Sequence, residues 1–191
     1  MINPSKPFVR ILTCVIIAFL SLQPANAEKK PRIKGANGLQ FGWTLEKCSE
    51  SIGDVPRKMT TGAPDDTQRQ FSYAPARYGA LDWDGSVLDF NNNKLEQIGF
   101  YKTTENDSRA TFDTAKEHLI ALFGQPVEVQ QTDNNLLWTG AKGNMALLQY
   151  ARENDAKGNV SFTTYLMFLD NKRIIKKARK AESFLKELMK D

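Results

Sequence analysis

Twice along this chain an amphipathic helical stretch ends in glycine and is followed by short aromatic and aliphatic runs separated by turn residues. In the first, Thr44 is placed to cap a helix whose apolar positions Leu45, Cys48 and Ile52 recur at helical spacing, and Gly53 supplies the stop. In the second, Ser108 stands before the stripe Phe112, Ala115, Leu119 and Leu122, and Gly124 with Pro126 closes it. RQFSYA, RYGALDW, SVLDF and LEQIGFY follow the first helix, and PVEVQQ, NLLWTG, NMALLQYAR and VSFTTYLMF follow the second; all read as strands. Asn91 to Lys94 reads as a hairpin turn, because Asn tolerates the left-handed backbone that a tight turn requires. Neither half can cover its own sheet, so the expected fold is α+β. Two helix-plus-antiparallel-meander repeats, about 39–104 and 105–171, would share one sheet, with the helices packed on one face and a C-terminal amphipathic helix added.

The N-terminus sets the compartment. A short cationic stretch with Lys6 and Arg10, the apolar run from Ile11 to Leu22 and the small-residue site Ala25-Asn26-Ala27 make the three parts of a secretory signal peptide. A dozen apolar residues are too few to span a membrane as a helix, which needs roughly 20. Residues 1–27 therefore read as a signal peptide cleaved after Ala27, residues 28–38 as a basic flexible leader, 39–171 as one domain and 172–191 as a basic amphipathic helix. Cys48 is then the one cysteine left, which suits a periplasmic or secreted bacterial protein stabilised by its core rather than by disulfides. The net charge of +4 sits at the two ends, since residues 35–171 hold 12 cations against 18 acids. An acidic body lacks the basic face that nucleic-acid binding uses, so no nucleic-acid partner is expected.

Helix–Gly–Pro, or helix–Gly–x–Val, followed by a Trp-bearing meander resembles the tandem repeats of beta-lactamase inhibitory protein. The single-repeat modules of outer-membrane assembly lipoproteins of the SmpA/BamE type are similar. Phe41-Gly42-Trp43-Thr44 is similar to the Gly-Met-Thr/Ser start of the first helix in such modules. The resemblance covers roughly Leu39 to Leu169 and implies a binding module rather than a catalyst. The chain departs from it in having no partner for Cys48 and no lipobox.

Chemistry-bearing patterns are few. The chain has no Gly-rich phosphate loop, HExxH, CxxC or GxSxG. Cys48 and His118 form the one thiol–imidazole combination, but Cys48 lies on an apolar stripe and reads as a buried, inert thiol. Asp82, Asp84 and Asp89 cluster around DWDGSVLDF and are the carboxylates a hydrolase would use. The competing reading makes Asp84-Gly85 a hairpin turn, with Asp82 and Asp89 facing solvent. Trp83 and Trp138 read first as core; if exposed they become partner contacts, because Trp concentrates binding energy. In the last segment Ile174, Ala178, Ala181, Leu185 and Leu188 recur at spacings of 4, 3, 4 and 3, with cations clustered in the first half. That segment can dock on its own domain, pair with another protein or lie on an anionic membrane surface.

The expected function is that of a secreted or periplasmic, non-enzymatic binding module that contacts another envelope protein. Trp83, Trp138, Lys176, Lys177, Arg179 and Lys180 are the candidate contacts, and no catalytic residue, cofactor or metal is expected. The alternatives are a small envelope hydrolase using Asp82, Asp84 and Asp89, and a structural protein held weakly at the membrane surface by residues 172–191.

Overall fold

Aromatic, β-branched and aliphatic residues dominate the chain from Phe71 to Leu169, and in the computed structural model they build one antiparallel sheet of seven strands. The structure describes residues 31–59, 68–127, 134–155 and 158–171. Among the described residues the first elements are a small hairpin, β1 (Gly35–Ala36) and β2 (Leu39–Gln40), and helix α1 (Leu45–Ile52). Strands β3 (Arg57–Lys58), β4 (Gln68–Ser72), β7 (Gly85–Asn91) and β8 (Lys94–Thr104) come next in the large sheet. Between β4 and β7 the chain makes a separate small hairpin, β5 (Arg77–Tyr78) and β6 (Leu81–Asp82). Helix α2 (Ala110–Phe123) leads to β9 (Asn135–Thr139), β10 (Met145–Asn154) and β11 (Val160–Leu169). The sheet order is β3-β4-β7-β8-β11-β10-β9.

Local signals explain the ends of these elements. The Thr44 side chain accepts from the Lys47 backbone N–H at 3.4 Å, and Gly53 closes α1 at φ 75°, a left-handed backbone that glycine adopts without a Cβ penalty. Asn92 and Asn93 hold φ of 48° and 56° between β7 and β8, the pair of positive values that a two-residue hairpin turn requires. At α2 the expected Ser108 cap is replaced by Arg109, which makes no side-chain cap bond. RYGALDW is not one strand. Gly79, at φ 61°, folds it into the β5–β6 hairpin.

One face of the sheet carries the main core. Leu88, Phe90, Ile98, Phe100, Leu148, Leu166 and Phe168 join Cys48 of α1, Phe112, Ala115 and Leu119 of α2, and Tyr78 of β5 in one cluster. Trp83 and Trp138 belong to it, at 6% and 1% exposure. The Trp138 indole donates to the Gly124 carbonyl at 2.8 Å, which ties the end of α2 to β9. The opposite face carries a second cluster that includes Val87, Leu137, Leu147 and Met167.

The expected α+β arrangement of two helix-plus-meander repeats is overturned, and the expected C-terminal helix falls outside the described residues. Strands dominate, eleven against two helices among the described residues, and one continuous sheet is the architecture. The two halves are unequal. The first has a helix of 8 residues, four sheet strands and a side hairpin, and the second a helix of 14 residues and three strands. The physical reason is the β8–β11 ladder, which runs from Gln97↔Leu169 to Thr104↔Phe162 and makes the middle of the sheet a seam shared by both halves. Residues 1–27, where a signal peptide is expected, and the segment 172–191 lie outside the described residues, and no described helix is long and apolar enough to cross a membrane.

Candidate functional site

Strands β8, β10 and β11 are the three longest, and their ends bring two polar turns together. At one side β8 finishes in Thr103-Thr104-Glu105, and at the other the β10–β11 turn carries Asp155, Asn159, Val160 and Ser161. These seven residues line a cleft of about 710 Å³. The turn is braced internally, because Asn159 donates to both Asp155 carboxylate oxygens, from its backbone N–H at 2.9 Å and its amide at 2.7 Å. Thr104 donates through its hydroxyl to the Asn106 carbonyl at 2.8 Å, which fixes the opposite wall.

A hydrogen-bonded network continues from the cleft along the sheet. The Thr103 and Thr163 hydroxyls are 3.1 Å apart, Thr163 donates to Glu153 at 3.1 Å, and the Tyr165 hydroxyl donates to the other Glu153 oxygen at 2.6 Å. Burial raises the Tyr165 pKa strongly, and the hydrogen bond to the Glu153 carboxylate adds to it. On the other face at this end, the Arg109 guanidinium lies 4.6 Å from the Phe112 ring centre and 5.2 Å from that of Tyr150. Tyr150 stacks on Phe162 at 6.0 Å and donates to Asp107 at 2.6 Å. Arg109 also donates to the side-chain oxygen of Asn134. The cleft lining holds two carboxylates, three hydroxyls and one amide, so it suits a partner that presents cations and hydrogen-bond donors.

The residues singled out in the sequence are placed elsewhere. Trp83 and Trp138 are buried in the core, so their contribution is packing, and the exposed-anchor alternative falls. Lys176, Lys177, Arg179 and Lys180 lie outside the described residues. Asp82 is exposed and pairs with Arg77 at 2.7 Å. Asp84 accepts from the Thr103 backbone N–H at 2.7 Å and stands 3.8 Å from the Lys102 ammonium. Asp89 does not face solvent; it is buried in β7 and accepts from Gln70 at 3.3 Å. The three carboxylates thus have three separate sets of partners.

Cys48 is fully buried, and burial together with the Glu46 charge pushes its thiol up to about 11. His118 packs edge-on against Tyr78 at 5.3 Å and rests over Gly79, where an added Cβ would come within 3.1 Å of the imidazole. No three His, Cys, Asp or Glu side chains among the described residues come together as a metal site.

Residue patterns missed the cleft for a simple reason. Its walls are two ordinary polar turns about fifty residues apart, and only the β8–β11 pairing makes them neighbours. Comparison with protein-family models, with curated proteins and with solved structures returns no match.

Proposed function

We propose that the protein is a secreted or periplasmic, non-enzymatic binding module that holds a segment of another envelope protein at the cleft end of its sheet. The cleft between Thr103–Glu105 and the Asp155, Asn159, Val160 and Ser161 wall carries this reading, because it is polar and, among the described residues, lined by two carboxylates and no cation. The neighbouring Arg109 and Phe162, both partly exposed, are of residue types enriched at protein interfaces.

A photoreactive residue in place of Ser161, followed by irradiation in the native envelope, is expected to trap one discrete protein. The paired change Glu105→Lys and Asn159→Arg reverses the charge of the cleft and should reduce that trapping at least about tenfold, a change of 1.4 kcal/mol or more. Trapping that is indifferent to those changes overturns the reading, and so does a hydrolytic activity lost in Asp84→Asn. The compartment has its own check. N-terminal sequencing of the protein recovered from the envelope should begin at Glu28-Lys29-Lys30, whereas a chain that still begins at Met1 overturns the signal-peptide assignment.

A further inference from the structure

The two faces of the sheet are covered differently. Both helices and both small hairpins contribute residues to the cluster on one face. On the other, Leu137, Leu147, Met167, Gly99 and Val87 form a straight cross-strand row from β9 to β7. Among the described residues, this face's cluster receives only sheet-strand side chains and Met59, at the end of β3. Yet Met167 is 0% exposed, Leu169 1% and Leu147 3%. Strands stand about 4.8 Å apart with their side chains upright, so neighbours on one face shield each other's flanks and leave the tips open. Exposures this low require a layer on top.

We propose that residues 172–191 of the same chain are that layer. The chain leaves β11, a central strand of this face, at Leu169, and the Asp170 N–H donates to the Glu96 carbonyl of β8 at 2.9 Å, which holds the exit against the sheet. Ile174 follows Leu169 by only five residues. The five-strand row spans roughly 19 Å, and twenty residues reach about 30 Å even at the short helical rise of 1.5 Å per residue. Apolar residues recur through the segment from Ile174 to Leu188, matching an apolar face. Charge is complementary as well. Asp89 and Glu96 are buried beside the exit, and the segment opens with Lys172, Arg173, Lys176 and Lys177, cations that offset the cost of burying carboxylates.

The test uses the full chain with Phe184 replaced by benzoylphenylalanine, irradiated and analysed by peptide mass spectrometry. Cross-links within one chain to the strands carrying Met145 or Met167 are expected. Cross-links between two chains make a second copy the occupant and overturn the proposal. Cross-links only to added phosphatidylglycerol vesicles, or to no residue of this face, overturn it as well. An independent readout is peroxide oxidation of Met145 and Met167, which should rise at least about tenfold in Ala178→Glu/Leu185→Glu. Unchanged oxidation in a variant whose circular dichroism stays native refutes the docking. Neither measurement depends on the cleft, so the two proposals stand or fall separately.

Discussion

Phe100→Ala is expected to destabilise the protein by about 4 kcal/mol, within the 3–5 kcal/mol typical of deleting a buried aromatic ring. The ring is fully buried on β8, the central strand of the sheet. It lies 6.4 Å from the ring of Tyr73, 5.5 Å from Tyr78 and 5.8 Å from Trp83. Removing it takes away the surface that three aromatics pack upon, and two of them belong to the segments around the β5–β6 hairpin, which has no place in the large sheet. Collapse into the cavity is therefore limited on one side by the β8 ladder and on the other by that hairpin. Small domains are stable by only about 5–15 kcal/mol, so the variant should lose a large share of its stability. Urea unfolding followed by circular dichroism measures it. Leu122→Ala is the control; Leu122 is 52% exposed and should change stability by less than about 0.5 kcal/mol. A Phe100→Ala loss below about 1 kcal/mol would contradict this packing.

The second large effect is alkaline. Burial, with the Glu46 charge, raises the Cys48 thiol from its ordinary value of 9.0 to about 11, and burial raises the Tyr78 phenol from 10.0 to about 12. In both groups the protonated form is neutral, and the folded state holds its proton to higher pH than the unfolded chain does. Stability is therefore fully present below about pH 9 and is lost as pH rises through the window from 9 to 12. Two units each correspond to about 2.7 kcal/mol per group, or about 5 kcal/mol together. The urea midpoint should fall steeply between pH 9 and 12, and Cys48→Ala with Tyr78→Phe should reduce the fall, leaving the part that the raised phenols of Tyr150 and Tyr165 contribute. At pH 8 the native thiol should not react with Ellman's reagent and should react on unfolding. A midpoint that stays level to pH 12 would mean that both groups reach water.

Several elements were legible in the sequence because their signals are local. Thr44, the Leu45–Cys48–Ile52 stripe and Gly53 place α1 at both ends, and Asn92-Asn93 place the β7–β8 turn. The burial of Cys48 was legible too, since an apolar position on a helix stripe faces whatever the helix packs on. RYGALDW misled because its aromatic and aliphatic content is strand-like, while Gly79 is the residue that decides its path. Asp89 misled because a carboxylate in a strand ordinarily faces water, and here Gln70 lies beside it from the paired strand β4.

The sequence by itself determined both ends of α1, the glycine stop of α2 and the β7–β8 turn, because dihedral preference and side-chain period act over a few residues. Only the tertiary structure decided the order of the seven strands in the sheet, the burial of Asp89 within it, and that two polar turns meet as a cleft. Those outcomes depend on pairings such as Tyr101↔Tyr165, in which residues distant in sequence become neighbours. Such a pairing is stabilised by the burial of both sheet faces at once, which is a property of the assembled layers and of no single segment.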